Sequence, residues 1–257
     1  MDTRRTCYLF LDFDGTVFLQ GSVIPEETKE ALRRVQNAGH QVILNTGRSR
    51  GGYDPDAPHH QGVRWDGMIF GGADYTYCGE RHYEHMMDRQ LAEQWFLSAI
   101  ERRCWINVEC DRENRRFDFR EHEGPYTEAE IQRLLAEHRE LTGWQTVTKL
   151  SLGVTEVRGE PTDGIRIIDQ KTYLELFPEG TDKGVILAEF CGRYGIDPAQ
   201  CISFGDSLND LAAFAFTRQS VSMKGSPKAL EDGATFRATG DLGVVEGVRH
   251  YFPELFS

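Results

Sequence analysis

The strongest constraint on the fold is an apolar run near the N-terminus that leads directly into two aspartates. Tyr8–Leu11 predicts a buried strand, and Asp12-Phe13-Asp14-Gly15-Thr16 follows it without a break. Pro25 then predicts the start of a helix, because the first helical turn needs no amide donor. A second apolar run, Val42–Leu44, leads into Asn45-Thr46-Gly47-Arg48. A strand, a helix and a strand joined by a short return predict parallel pairing and one βαβ unit.

The same pattern returns near the C-terminus. Thr181 is a candidate cap for a helix that ends at Gly195, and Cys201–Phe204 predicts the next strand. Parallel sheets with crossover helices bind their ligands beyond the carboxyl ends of the strands. The sequence therefore predicts that four polar residues converge at that edge: Asp12, Asp14, Thr46 and Asp206.

The middle of the chain has a different pattern. Alternating residues in Trp105–Cys110 and Arg116–Arg120, on either side of an Asp111–Asn114 turn, predict a β-hairpin. Thr127 and Glu130 have the spacing of a capping box and predict the start of a helix. Helices and antiparallel strands together indicate an α+β insertion of roughly 100 residues.

These patterns predict an α/β fold in which a Rossmann-like parallel sheet forms the core and an α+β domain is inserted into it. The expected limits are residues 1–74 and 181–257 for the discontinuous core and residues 75–180 for the insertion. The insertion is long enough to bury a small hydrophobic core of its own.

Aspartates at the ends of two strands would place several negative charges close together. An isolated Asp-x-Asp pair is more typical of a solvated turn, but the buried strand before Asp12 and Asp14 favours a site. Carboxylates that repel each other need a cation, and oxygen ligands with few imidazoles favour magnesium over zinc. Asp206 adds a third carboxylate, and Asp210 is expected to bind the metal or to support its ligands.

Lys183 is expected in the first turn of the helix that begins near Thr181. A cation there opposes the helix dipole, so the residue is either a solvated lysine on an exposed turn or one with a function. Beside carboxylates it would neutralise phosphoryl oxygens and shield Asp12, while Thr46 would donate hydrogen bonds. The combination favours a phosphate and metal site.

Four motifs occur in a fixed order along the chain. They are Asp12-Phe13-Asp14-Gly15-Thr16, Thr46-Gly47-Arg48, Lys183-Gly184 and Gly205-Asp206-Ser207-Leu208-Asn209-Asp210. In these motifs the chain resembles the Cof-like, capped phosphatase branch of the haloacid dehalogenase superfamily. The resemblance covers residues 1–74 and 181–257, and the insertion resembles the family's cap only by its position and its strand and helix pattern.

The resemblance implies a covalent mechanism. The first aspartate, here Asp12, would attack phosphorus and become phosphorylated, and Asp14 would protonate the leaving alcohol and then activate water. Thr46, Gly47 and Lys183 would bind the phosphoryl oxygens. Mg²⁺ would be the cofactor, held by Asp12, the backbone carbonyl of Asp14 and Asp206, and completed or oriented by Asn209 and Asp210.

The adjacent histidines His59 and His60 lie in a loop that is rich in Asp, Pro and Gly. Such a pair is more typical of a solvated loop than of a pair of ligands. Neither histidine is therefore predicted to contribute to the site.

Composition restricts the partners. The formal net charge of -12 repels polyanions, so neither nucleic acid nor an anionic membrane surface is expected as a partner. The six cysteines are scattered without zinc-like spacing, which favours reduced thiols and a cytoplasmic location. No apolar stretch approaches the length of a membrane span. The expected partner is a small phosphorylated metabolite, and the oligomeric state stays open.

The predicted function is magnesium-dependent hydrolysis of a small phosphomonoester, and only the family analogy favours a sugar-like phosphate. A phosphomutase or other phosphotransferase would use the same Asp12 intermediate and differ only in the acceptor hydroxyl. A non-catalytic phosphoacceptor module, such as a receiver domain, also uses aspartates, a threonine and a lysine. Receiver domains are shorter and have no need of Asp14 as an acid and base, which favours the enzyme.

Overall fold

The computed structural model describes residues 5–19, 23–58, 60–71, 73–143 and 145–257. The chain forms two compact units. The larger unit comprises Met1–Gly47, Asp54–His82 and Asp182–Ser257. The inserted unit comprises Arg48–Tyr53 and Tyr83–Thr181.

Both units are built from α-helices and β-strands. The strands are β1 (Tyr8–Leu11), β2 (Gln41–Thr46), β3 (Gly67–Phe70), β4 (Asp74–Tyr77), β5 (Glu80–Tyr83), β6 (Trp105–Cys110), β7 (Asn114–Asp118), β8 (Val147–Leu152), β9 (Ile165–Asp169), β10 (Leu174–Pro178), β11 (Cys201–Gly205), β12 (Ser220–Ser222) and β13 (Phe236–Arg237). The helices are α1 (Glu26–Asn37), α2 (Arg89–Glu101), α3 (Glu128–Gly143), α4 (Lys183–Tyr194), α5 (Leu211–Thr217), α6 (Lys228–Gly233) and α7 (Gly243–Tyr251). None of the helices in the described chain combines the length and the apolar character needed to cross a bilayer.

The sheet of the larger unit has the strand order β13-β12-β11-β1-β2-β3-β4-β5. Its strands are parallel from β13 to β3, and β4 pairs antiparallel with β3. β1 lies between β11 and β2, with Leu11 opposite both Phe204 and Leu44. These strands are apolar along their length because a central parallel sheet is covered on both faces. The predicted βαβ unit and its parallel pairing are confirmed, and α1 begins directly after Pro25.

Helix α4 starts with a different cap from the one predicted. Thr181 is not the cap, since its hydroxyl donates to the carbonyl oxygen of Pro178 at 2.5 Å. The N-cap is Asp182, whose carboxylate accepts hydrogen bonds from the amides of Gly184 and Val185, each at 2.8 Å. A carboxylate at this position satisfies two free amides and also complements the positive end of the helix dipole.

The inserted unit has an antiparallel sheet in the order β7-β6-β8-β10-β9. The predicted hairpin is confirmed as β6 and β7. The predicted capping box is also confirmed, because the Glu130 carboxylate accepts from the Thr127 amide at 2.8 Å and the Glu130 amide donates to the Thr127 hydroxyl at 3.3 Å. The sheet and helices α2 and α3 share one apolar core that includes Trp95, Phe96 and Leu150.

The two units divide the chain differently from the expectation based on sequence. β4 and β5 extend the larger sheet, so residues up to His82 belong to the larger unit although the predicted insertion begins at residue 75. Arg48–Tyr53 belongs to the inserted unit, where the Ser49 hydroxyl donates to Oδ1 of Asn114 at 3.0 Å. The alternation of residues in a short strand does not show which sheet that strand joins. The predicted domain limits stay a prediction.

Candidate active site

Asp12 follows β1 directly and lies at the carboxyl edge of the larger sheet. Its backbone amide donates to the carbonyl oxygen of Phe204 in β11 at 3.0 Å, so the parallel pairing continues past the end of the strand. The residue is only 6% exposed. A carboxylate that is removed from water in this way needs a charged or hydrogen-bonding partner.

Lys183 supplies that partner. It is the first residue of α4, and its Nζ lies 2.6 Å from Oδ1 of Asp12 and 2.6 Å from Oδ1 of Asp210. The lysine is 4% exposed, so the alternative of a solvated lysine on an exposed turn is wrong. The cost of a cation in the first helical turn is offset here by two carboxylates.

Asp210 holds the turn after β11 as well as the lysine. Its Oδ1 accepts from Lys183, while its Oδ2 accepts from the backbone amides of Asp206 and Ser207, each at 3.1 Å. Gly205 is required beside it, because a Cβ at that position would overlap the Asp210 carboxylate. Both oxygens of Asp210 are therefore engaged in fixing neighbouring residues.

Asp206 completes the acidic group. The Thr16 hydroxyl donates to its Oδ1 at 3.4 Å. Gly15, with a φ of 79°, lies against the same carboxylate, and a Cβ there would overlap it. Asp12, Asp206 and Asp210 each offer an oxygen within 4.8 Å of the others. The structure thus brings together the carboxylates that follow β1 and β11.

Burial dominates the electrostatics of this cluster. Burial raises the pKa of Asp12 to about 7, although Lys183 opposes the shift, and Asp210 adds to it. Burial also raises the pKa of Asp206, again with a contribution from Asp210. Burial alone would lower the pKa of Lys183, but Asp12 and Asp210 outweigh it, so the pKa is raised and the lysine stays charged. Three carboxylates and one ammonium leave two negative charges in excess when all four groups are ionised.

The donor atoms fit a divalent cation. The three groups offer carboxylate oxygens, which are the ligands that hard cations such as Mg²⁺ prefer. A divalent ion would balance the two excess charges and relieve the repulsion among the carboxylates. The acidic cluster is therefore a candidate metal centre.

The loops that carry Thr46 and Asn209 lie close together. Thr46 is the last residue of β2, is buried, and accepts a hydrogen bond on its carbonyl from the Gly71 amide at 2.9 Å. A Cβ on Gly47 would lie 3.5 Å from Nδ2 of Asn209. Asn209 is exposed, and its Oδ1 accepts from the Ser207 hydroxyl at 2.7 Å. The edge predicted from the strand ends therefore includes the residues after β2.

Asp14 lies two residues beyond Asp12, and its side chain is exposed. Its backbone forms an isolated bridge with Phe18, so the chain turns back on itself after the first aspartate. An exposed carboxylate beside a buried one is compatible with an acid and base that meets a substrate. The role of Asp14 stays a prediction.

Two further polar residues, one bonded to the acidic cluster and one next to Thr46 in the sequence, were not predicted to have a role. Thr16 donates to Asp206, and its only signal in the sequence is its place at the end of the first motif. Asn45 precedes Thr46, is 3% exposed, and its Oδ1 has no hydrogen-bond partner among the described residues. Its signal is a polar residue directly after the apolar run of β2.

The prediction that His60 is solvated is wrong, whereas its exclusion from the ligands stays a prediction. The residue is 5% exposed rather than solvated, and its ring packs against Phe13 and Phe18. A loop composition rich in Asp, Pro and Gly predicts a turn, but it does not show which side chain of the turn points inward. His59 lies outside the described residues.

Comparison with known proteins identifies the family of the chain. A family model described as haloacid dehalogenase-like hydrolase matches residues 9–248. The chain is 25% identical over 269 residues to the chloroplastic endoribonuclease YBEY of Arabidopsis thaliana, a match that covers 95% of this chain but only 46% of the plant protein. It is 23% identical over 285 residues to the 5-amino-6-(5-phospho-D-ribitylamino)uracil phosphatase YitU of Bacillus subtilis, with 96% of each protein covered.

A solved structure extends the comparison to the fold. The chain superposes on a subclass IIB sugar phosphatase of the HAD superfamily with a TM-score of 0.74 and 17% identity, covering 96% of this chain and 99% of the other. The family match includes all three carboxylates of the acidic cluster. The chain therefore belongs to the haloacid dehalogenase-like hydrolase family and has the fold of its capped, Cof-like branch.

Proposed function

We propose that the protein is a magnesium-dependent phosphatase that hydrolyses a small phosphomonoester through an aspartyl-phosphate on Asp12. The observation that carries the proposal is the contact of 2.6 Å between the buried Asp12 carboxylate and Nζ of Lys183, beside Asp206 and Asp210. A structural ion pair would need only one carboxylate beside the lysine. A site that binds a cation and a phosphoryl group would need further carboxylates to hold the cation.

The chain's own residues account for both chemical steps. Asp12 attacks phosphorus, so a bond from its carboxylate oxygen to phosphorus forms while the bond to the leaving alcohol breaks, and Asp14 gives the alcohol its proton. Asp14 then accepts a proton from water, whose oxygen attacks phosphorus and releases Asp12 and inorganic phosphate. Lys183, Thr46 and Gly47 neutralise or hydrogen-bond the phosphoryl oxygens during both displacements.

The metal would be held by carboxylate oxygens of Asp12 and Asp206 and by the backbone carbonyl of Asp14. When bound, Mg²⁺ would neutralise charge that develops on the phosphoryl oxygens. Asn209 and Asp210 complete or orient that set of ligands. For Asp210 the orienting role is favoured, because both of its oxygens already accept hydrogen bonds from Lys183, Asp206 and Ser207.

The proposed substrate is a small, sugar-like phosphate ester. The relative YitU is named for a substrate with a phosphorylated ribityl chain, and the similar solved structure is described as a sugar phosphatase. The net charge of -12 further disfavours a large polyanionic substrate. A ligand of modest size and charge would meet the least repulsion.

The test is a screen of sugar, polyol and nucleotide phosphate esters with Mg²⁺, in which released phosphate is measured with and without an added acceptor alcohol. Asp12→Asn removes the nucleophile and is expected to lower turnover by at least about a thousandfold, with an unchanged circular dichroism spectrum. Asp241→Asn, which changes an exposed aspartate of the same unit, is the control and should behave like the wild type.

Two outcomes would contradict the proposal. Retained turnover in Asp12→Asn would exclude the covalent route. Formation of a new phosphate ester in place of free phosphate would show that the protein is a phosphotransferase with another hydroxyl as its acceptor.

A further inference from the structure

His60 is packed against the segment that carries both aspartates of the first motif. It belongs to the larger unit and is 5% exposed. Its ring centroid lies 4.9 Å from that of Phe13 and 5.7 Å from that of Phe18, with interplanar angles of 85° and 84°. Phe13 is the residue between Asp12 and Asp14, so this contact acts on the backbone that sets their separation.

The segment that His60 contacts is a closed turn. The rings of Phe13 and Phe18 stack at 5.1 Å with an interplanar angle of 5°. The amides of Val17 and Phe18 both donate to the carbonyl oxygen of Phe13, at 3.0 and 2.8 Å, and the Gly15 amide donates to that of Phe18 at 2.9 Å. The imidazole meets both parallel rings with its plane nearly perpendicular to them, which is a favoured aromatic arrangement.

The loop that presents His60 is itself fixed by hydrogen bonds. Its Nδ1 donates to the carbonyl oxygen of Asp54 at 2.6 Å, and its amide donates to that of Ala57 at 2.8 Å. The Asp56 amide donates to Oδ1 of Asp54 at 2.9 Å, and the Gln61 side chain donates to the Asp56 carbonyl at 2.8 Å. The hydrogen bonds of its own loop thus fix the imidazole independently of its contact with Phe13 and Phe18.

We infer that His60 is a positioning residue for Asp12 and Asp14, an inference that rests on the proposed phosphatase function. The imidazole keeps Phe13 and Phe18 stacked and thereby fixes the turn that joins the two aspartates. The residue acts through these rings and not on the phosphoryl group. Loss of the contact would let Asp14 move relative to Asp12, and small displacements of reacting groups cost much of the rate.

A role in positioning differs measurably from a role in stability alone. Phosphate binding depends on Thr46, Gly47 and Lys183 in the proposed mechanism, and none of these lies in the turn that His60 contacts. With Mg²⁺ at saturating concentration, so that the metal ligands Asp12 and Asp14 stay occupied, a loosened turn should therefore lower kcat and leave KM nearly unchanged. A purely structural role would lower the unfolding temperature without this split.

The experiment compares His60→Ala, His60→Phe and His250→Ala in the full chain. His60→Ala should lower kcat by about tenfold or more with KM within about twofold, because the reacting groups are misplaced. His60→Phe keeps a ring against both phenylalanines and should retain kcat within about threefold. His250→Ala removes another imidazole, stacked on Phe236 at 4.3 Å in the same unit, and should match the wild type.

Amide hydrogen exchange gives a second readout that does not depend on turnover. The amides of Val17 and Phe18 should exchange faster in His60→Ala, but not in His60→Phe or His250→Ala. Unchanged kcat and unchanged exchange in His60→Ala would overturn the inference, and so would equal losses in His60→Ala and His60→Phe. If the wild type hydrolyses none of the esters, the proposed function fails, whereas the exchange measurement still decides whether His60 fixes the turn.

Discussion

His138 lies in α3 of the inserted unit and is 1% exposed. Neither ring nitrogen has a hydrogen-bond partner among the described residues, and the ring lies 4.5 Å from that of Phe96. Burial lowers its pKa from 6.5 to about 4, although Glu93 acts in the opposite direction. The imidazole is therefore held neutral in a place where a proton is unfavourable.

This burial makes stability depend on pH. Between pH 6.5 and about 4 the unfolded chain binds a proton that the folded chain does not, so the free energy of unfolding falls as the pH falls. The full pKa shift of His138 corresponds to about 3 kcal/mol of the free energy of unfolding. His138→Leu should abolish this part of the pH dependence, which urea unfolding at pH 7, 6 and 5 would measure. His250→Leu is the exposed control, and equal pH dependence in His138→Leu and the wild type would refute the assignment.

At the scale of elements, the start of α4 determines where the buried lysine lies. Asp182 accepts from two amides of the first turn, and Lys183 is the next residue. Gly184 follows, where a Cβ would lie 2.6 Å from the carbonyl oxygen of Ala212 in α5. The cap and the glycine together fix the helix start that carries the ammonium group to Asp12.

The cap should therefore affect stability and activity together. Asp182→Ala removes both acceptors and should lower the free energy of unfolding by about 1 kcal/mol. It should also lower kcat, because the helix start that holds Lys183 frays. Asp182→Ser keeps a capping oxygen and should recover most of both losses. Urea unfolding and the phosphate release assay measure the two effects, and a kcat unaffected by Asp182→Ala would show that the ion pairs alone hold the lysine.

The sequence alone predicts those elements whose pattern lies within a few neighbouring residues. β1 and β11 are apolar runs followed directly by acids, so parallel pairing predicts Asp12 and Asp206 at the same edge of the sheet, and the adjacency of the two strands in the structure brings them together. The capping box of α3 is likewise local, because Thr127 and Glu130 are three residues apart.

Other features depend on tertiary contacts that no local pattern contains. β4 and β5 have four residues each, too few to show which sheet they join. The burial of His60 depends on Phe13 and Phe18, which are distant in sequence. Asp210 binds both Lys183 and the amides that follow Gly205, and no local pattern in the sequence predicts that these groups surround it.

At the scale of the whole molecule, each unit has its own apolar core, but the acidic cluster lies in only one of them. The larger unit has a core that includes Phe10, Ile43 and Phe190, and the inserted unit has its own core around Trp95 and Phe96. The acidic cluster belongs entirely to the larger unit. A bound cation should therefore stabilise the larger unit directly.

Calorimetry with and without Mg²⁺ tests this expectation. At a hundred times its Kd the ion would stabilise the larger unit by about 2.7 kcal/mol, which raises its Tm by roughly 5–10 °C. Asp206→Asn should abolish most of the rise, whereas Asp241→Asn should keep it. An equal rise in all three proteins would mean that Mg²⁺ acts through the general negative charge and not through the cluster.

The order of strands in the larger sheet has a consequence for biosynthesis. β1 lies between β2, which leaves the ribosome soon after it, and β11, which is made only after the inserted unit. A nascent chain therefore exposes one open edge of β1 and an uncompensated Asp12, since Lys183 follows 171 positions later. The acidic cluster can form only after α4 and β11 have been made, and a chain that stopped within the insertion would lack Lys183 as the counter-ion of Asp12.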